Sequence, residues 1–136
     1  SVVNLWISPR RPGQSTHQHL AESNMNLGIL AALRLQRAWR GGLNIATICD
    51  TEEEVIEGRV HLERLRDLCR IPAKAKTHVL VGNFADDDIL TRVPMGDLQV
   101  LGVSNMNAID FMQRTVHRMR SSVLFVRDSG LESALA

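Results

Sequence analysis

Five short aliphatic runs, separated by longer stretches of helical periodicity, constrain this chain more than any other feature. Residues 2–7, 43–49, 78–82, 98–103 and 123–126 are rich in valine, isoleucine and leucine, as strands covered on both faces are. Between them, residues 26–40, 52–69 and 108–120 repeat apolar side chains at helical spacing, and residues 85–91 suffice for a shorter helix. Strand, helix, strand in this order means a parallel sheet with right-handed crossovers. The expected fold is therefore α/β: a doubly wound five-stranded parallel sheet with strand order 3-2-1-4-5. With 136 residues, 44% of them hydrophobic, the chain has material for one such domain over residues 1–136 and not for two.

The element ends carry matching chemistry. Thr51 followed by Glu54 reads as a capping box at the start of the second long helix. Arg37 and Arg40 ahead of Gly41-Gly42 predict closure of the first, with cations at the negative dipole end and glycine in a left-handed exit. Ile109, Met112, Val116 and Met119 share one stripe, expected to face the core, while Arg114, Arg118 and Arg120 lie elsewhere. The 26–40 helix differs, because Met25, Leu27, Ile29, Leu30, Leu33, Leu35, Ala38 and Trp39 cover more than the one face needed against a sheet. Leu27, Leu30, Leu35 and Trp39 are accordingly candidate interface residues. Residues 131–136, read as the opening of an unfinished helix, offer cover for the same surface within the chain. The longest loop-like stretch, 8–23, follows the first strand and so falls at the carboxyl edge of the sheet, where ligands usually bind.

Sixteen Lys and Arg stand against 15 Asp and Glu, a net charge of +1, so a polyanion-binding surface has to come from local clustering. Nucleic acid is not an expected partner. No apolar run approaches the roughly 18 to 20 residues that cross a bilayer, the longest (27–35) being broken by Arg34, so this segment does not itself insert into a membrane. Cys49 and Cys69 lack CxxC spacing and read as reduced, packed thiols of a cytosolic chain. The opening SVVNLWIS reads as a strand rather than a secretory signal, and with the GLESALA ending it suggests a piece of something longer.

Catalytic constellations are missing from the pattern. The loop after the first strand has Gly13 alone, and there is no GxGxxG, GxxxxGK[ST] or GxSxG. The alternation resembles that of universal stress proteins, whose nucleotide-binding members share a glycine-rich segment between the fourth and fifth strands. Here Gly102 opens that region, but Asn105 and Ser121-Ser122 stand where further glycine is wanted. His17 and His19 would need a third ligand to hold a metal and are expected to be solvated loop residues. His61, His78 and His117 are scattered and form no pair with a nucleophile, and a hydrolase using His17 or His19 has no nucleophile to name. Asp86, Asp87 and Asp88 fit the start of a short helix better than a cation site. Arg10 and Arg11 are expected to be solvated rather than to hold an anion at the sheet edge. No catalytic residue, cofactor or metal site is expected.

A resemblance spans nearly all of the chain. VNLWIS, NLGILAALRLQRAWRGGLNIATI, LERLRDLCRI, DLQVLGVSN and above all SVLFVRDSGLESALA, in that order, are similar to the cytosolic carboxy-terminal domain of cation-chloride cotransporters, the sodium-potassium-chloride type in particular. The resemblance implies one half of a cytosolic domain built from tandem universal-stress-like α/β halves, with assembly and regulation as its role and the ion path in a missing transmembrane part. It implies the transmembrane part of the same transporter and a homodimer as partners, and the cytoplasmic face of the membrane as location. Only residues 84–97 fill the space that holds long regulatory insertions in animal members, so a prokaryotic relative is implied and kinase-dependent regulation is not. No family ion-site residue falls within the chain. The alternative expectation is a stand-alone universal-stress-like nucleotide-binding protein.

Overall fold

The computed structural model describes residues 1–23, 25–83, 89–103, 109–119, 121–129 and 131–135. Its elements are β1 (Val2–Ile7), α1 (Thr16–Glu22), α2 (Asn26–Trp39), β2 (Gly42–Cys49), α3 (Val55–Leu68), β3 (Lys76–Val81), β4 (Leu98–Gly102), α4 (Ile109–Arg118) and β5 (Ser122–Val126), with 3-10 turns at Glu52–Glu54 and Ile89–Arg92. The strands form one sheet in the order β3-β2-β1-β4-β5, every neighbouring pair parallel, as expected. Val3 faces Leu43 on one side and Leu98 on the other, so β1 is the centre of the sheet.

Pleating sends Val3, Leu5 and Ile7 to one face and Asn4 and Trp6 to the other. On the first face, α2 brings Ile29, Ala32 and Leu33, and α3 brings Leu62 and Leu65, into one core with Leu5, Ile45 and Val100. Each fully buried leucine or isoleucine there contributes about 1.5–3 kcal/mol. The second face joins Trp6, Ala46, Ile48 and Leu101 to Ile89 and Val93, with Phe111 and Phe125 packed edge to face at its margin. That face also holds a buried amide row. Asn44 Nδ2 donates to Asn4 Oδ1 at 2.9 Å, Asn4 Nδ2 to the Pro94 carbonyl at 2.9 Å, and Trp6 Nε1 to Gln99 Oε1 at 2.8 Å.

Several local expectations are corrected. The stretch 8–23 is not all loop, because Ser15 and Gln18 form a capping box that starts α1. At Thr51 the box does not form, since the hydroxyl donates to the Glu54 carboxylate at 3.0 Å and a 3-10 turn precedes α3. The left-handed residue ending α2 is Arg40 (φ 51°), not a glycine. Gly41 serves close approach instead: a Cβ there would lie 1.9 Å from the Ser1 carbonyl oxygen. The α4 stripe does not face the core as a unit, for Ile109 and Val116 are more than half exposed while Thr115 is buried. Residues 131–135 are not helical, although Ala134 packs into the first core. β3 begins two residues before the expected start. Of the expected short helix, residues 85–88 lie outside the described residues, Asp86, Asp87 and Asp88 with them, and residues 89–92 form a 3-10 turn.

Candidate functional site

The carboxyl edge of the sheet gathers the titratable groups of the 8–23 segment. His19 and His61, expected to be separate, are in contact. Thr16, His19 and Leu20 form the buried side of α1, and His61 belongs to the buried side of α3. The two imidazoles meet with His61 Nε2 2.7 Å from His19 Nδ1, and both are almost wholly buried. Thr16 Oγ1 lies 3.1 Å from His61 Nδ1, and Ser8 Oγ, just past β1, lies 3.4 Å from His19 Nε2. The Ser8 hydroxyl donates to Met25 Sδ at 3.3 Å, which leaves its oxygen to accept from His19 Nε2. The network then assigns the remaining protons: His61 Nε2 donates to His19 Nδ1, and the Thr16 hydroxyl donates to His61 Nδ1.

Burial holds both imidazoles below their ordinary value. For His61 the loss of solvent, with smaller contributions from His19, Arg10 and Arg64, pushes the pKa down to about 4. For His19, burial outweighs a raising hydrogen bond to the Ser8 backbone, Arg10 and Arg11 push the same way as burial, and Glu22 opposes them. A neutral pair with every ring nitrogen engaged fastens α1 to α3. It presents no lone pair to a metal, and the Ser8 hydroxyl points at a thioether rather than at a base, so Ser8 is not an activated nucleophile. Among the described residues no group of three or more His, Cys, Asp or Glu could hold a metal ion.

His17 is exposed, as expected, whereas His19 is not solvated. Arg10 is half-buried and binds the Gln14 carbonyl and Glu57, and Arg11 pairs with Glu22, so neither arginine is merely solvated. His78 is half-buried on β3 and His117 exposed on α4. Burial raises the Cys69 thiol to about 11, and burial with nearby Glu54, Glu52 and Asp50 raises Cys49, so neither is a ready thiolate. Leu27 and Leu35 pack at the margin of the first core, while Leu30 and Trp39 are exposed.

Beside the histidine pair runs a groove of about 520 Å³ between α1 and the segment after β5, lined by His17, Leu20, Glu22, Asn26, Asp128 and Glu132 among others. Asp128 governs its chemistry. α2 has no side-chain cap of its own, and Asp128 supplies one from the far end of the chain, its carboxylate accepting from the amides of Asn26 (3.0 Å) and Leu27 (2.8 Å). Asn26 Oδ1 in turn accepts from the Ala134 amide at 2.9 Å. An anion arriving at this helix terminus would have to displace a carboxylate already there. Sequence reasoning found neither Asp128 nor the histidine pair, although Ser15-x-x-Gln18 followed by Thr16, His19 and Leu20 at helical spacing was a readable signal for α1.

Among the described residues no helix is long and apolar enough to cross a membrane. No curated relative matches the chain. In the solved structures, the cytoplasmic domain of a prokaryotic cation chloride cotransporter is similar over 98% of this chain at 28% identity, with a TM-score of 0.82. The chain spans about half of that protein, 48% of its length. A universal stress protein in complex with cAMP is similar over 93% of this chain and 95% of its own, at 16% identity and a TM-score of 0.58, a likeness of fold alone. Residues 1–135 match the family model described as the second C-terminal domain of prokaryotic cation-chloride cotransporters, and the chain belongs to that family.

Proposed function

We propose that this chain is a non-enzymatic domain on the cytoplasmic side of a cation-chloride cotransporter, serving assembly and regulation while ions pass through a transmembrane part outside this chain. The observation that carries the reading is the family match over residues 1–135, joined to a likeness of TM-score 0.82 with a cotransporter's cytoplasmic domain. The carboxyl edge supports it. Its histidines are neutral and mutually bonded, its serine is not activated and its helix terminus is capped from within, which suits a scaffold better than a reaction centre. Homodimer formation belongs to the same reading, with Leu30 on the outer face of α2 as the contact to test first.

The test uses the full-length gene product. Ion flux in proteoliposomes should survive in a protein lacking residues 1–136, with its rate, its regulation or its oligomeric mass altered. Unaltered flux and mass together overturn the reading. The alternative, a stand-alone universal-stress-like nucleotide-binding protein, rests on the shared fold. Calorimetry with ATP and AMP separates the two, since micromolar binding favours the alternative.

A further inference from the structure

The net charge of +1 conceals a segregation of charge between the two ends of the sheet. α2 and α3 lie on the same face, and each leads directly into the next strand, so both carboxyl termini reach the amino edges of β2 and β3. Arg34 and Arg37 occupy the last turns of α2 and Arg40 caps its end, while Arg70 and Lys74 lie between α3 and β3 and Lys76 opens β3. All six are exposed, and among the described residues none has an ion-pair partner. The acids near this edge are few: Glu63 pairs with Arg66, Asp97 accepts from the Val2 amide, and Asp67 stands on the last turn of α3. α2 itself contains no acidic residue.

The backbone at this edge is strained. Among the described residues, only two non-glycine residues have a left-handed φ, Arg40 and Arg70, both at 51°. They stand at matching positions past the ends of the two neighbouring helices, where glycine is the unstrained choice. The helix dipole accounts for a cation in each last turn, but not for one at the left-handed position itself. Trp39, 45% exposed, adjoins Arg40.

We propose that this basic edge, centred on Arg40 and Arg70, docks on the anionic lipid headgroups of the membrane that holds the transporter. The inference rests on the reading of the chain as the cytoplasmic part of a membrane protein. The six cations are strung along an edge and do not line the α1 groove, which suits a plane of charge better than a single anion. An exposed indole beside guanidinium groups is the pairing found where proteins meet a membrane interface. Docking of this kind is peripheral and reversible, without insertion of a span.

The experiment is sedimentation of this chain with vesicles, with poly-glutamate as a soluble polyanion control. Binding is expected to vesicles containing about 30% phosphatidylserine and not to phosphatidylcholine alone, and it should fall as salt rises from about 0.1 to about 0.5 M. The double change Arg40→Gly and Arg70→Gly should raise Tm by relieving the left-handed strain, yet weaken vesicle binding about thirtyfold, from about 1 kcal/mol per basic residue at an anionic surface. Arg40→Gln with Arg70→Gln removes charge while keeping the strain, and should weaken binding equally without the gain in Tm. Equal binding to neutral vesicles, unchanged affinity in both double variants, or tight binding to poly-glutamate without binding to vesicles overturns the proposal. The last outcome would point to an acidic protein partner instead. A null vesicle result leaves the flux and mass criteria for the transporter domain untouched, so the two readings fail separately.

Discussion

The two edges of the sheet treat polar groups in opposite ways. At the carboxyl edge, where open parallel sheets usually receive ligands, groups of the 8–23 segment are engaged within the chain, His19 with His61, Arg10 with Glu57 and Arg11 with Glu22, and Asp128 caps the start of α2. At the amino edge, usually the quiet end of such a fold, six cations have no ion-pair partner among the described residues, and two of them sit on a strained backbone. In this chain, then, the edge where such folds customarily bind ligands is the one whose polar groups are engaged internally. Six exposed cations without ion pairs among the described residues gather at the amino edge instead.

If the carboxyl edge is a structural fastening, disturbing it should cost stability, and acid should disturb it most. The folded pKa of His61 is depressed, so the unfolded chain takes up a proton near the ordinary value of 6.5 while the folded chain resists until about 4. Stability should therefore be level above pH 6.5 and fall progressively as pH drops towards 4, by about 3 kcal/mol from this group. Denaturant titrations across that range should lose most of the slope in His61→Gln. A slope that survives in the variant would mean that other groups dominate.

Next in size, His19→Leu leaves the His61 Nε2 donor buried without an acceptor and should cost about 2 kcal/mol at pH 7 by the same titration. Asp128→Ala strips the cap from α2 and should cost about 1.5 kcal/mol, with faster hydrogen exchange at the amides of Asn26 and Leu27 while the middle of α2 stays protected. At the amino edge the expectation reverses. Arg34→Gln and Arg37→Gln should each change stability by less than about 0.5 kcal/mol, because among the described residues neither side chain has an ion-pair partner to lose. A larger loss there would erase the contrast between the two edges.

The layout of the fold was readable because its signals are local and repeated. Strands covered on both faces must be aliphatic throughout, and crossover handedness then leaves few orders, of which 3-2-1-4-5 is the one observed. The seven-residue α1 was hidden by the prolines, glycine and polar residues before it, although its capping box was present. The histidine pair was not legible, since 42 residues separate its members and their meeting depends on how two helices pack. Nor was the left-handed Arg40, because Gly41 stood one position away as the expected exit; the close approach of the Ser1 carbonyl already requires glycine there. The family was legible in the order of blocks along the chain, which no single motif carried.

The central place of β1 has a consequence for the order of events during synthesis. One flank of β1 is met by β2 some 40 residues later, but the other waits for residues 98–101, because Val3 to Trp6 pair with Leu98 to Leu101. At translation speeds of about 5–20 residues per second, that flank stays open on the order of ten seconds. Throughout that interval Trp6 lacks the acceptor that Gln99 later provides, and the growing β3-β2-β1 ribbon ends in a bare, largely apolar strand. The ribosome-bound chain is therefore most exposed to wrong pairing just before its fourth strand emerges, and a pause in translation ahead of β4 would lengthen the hazard.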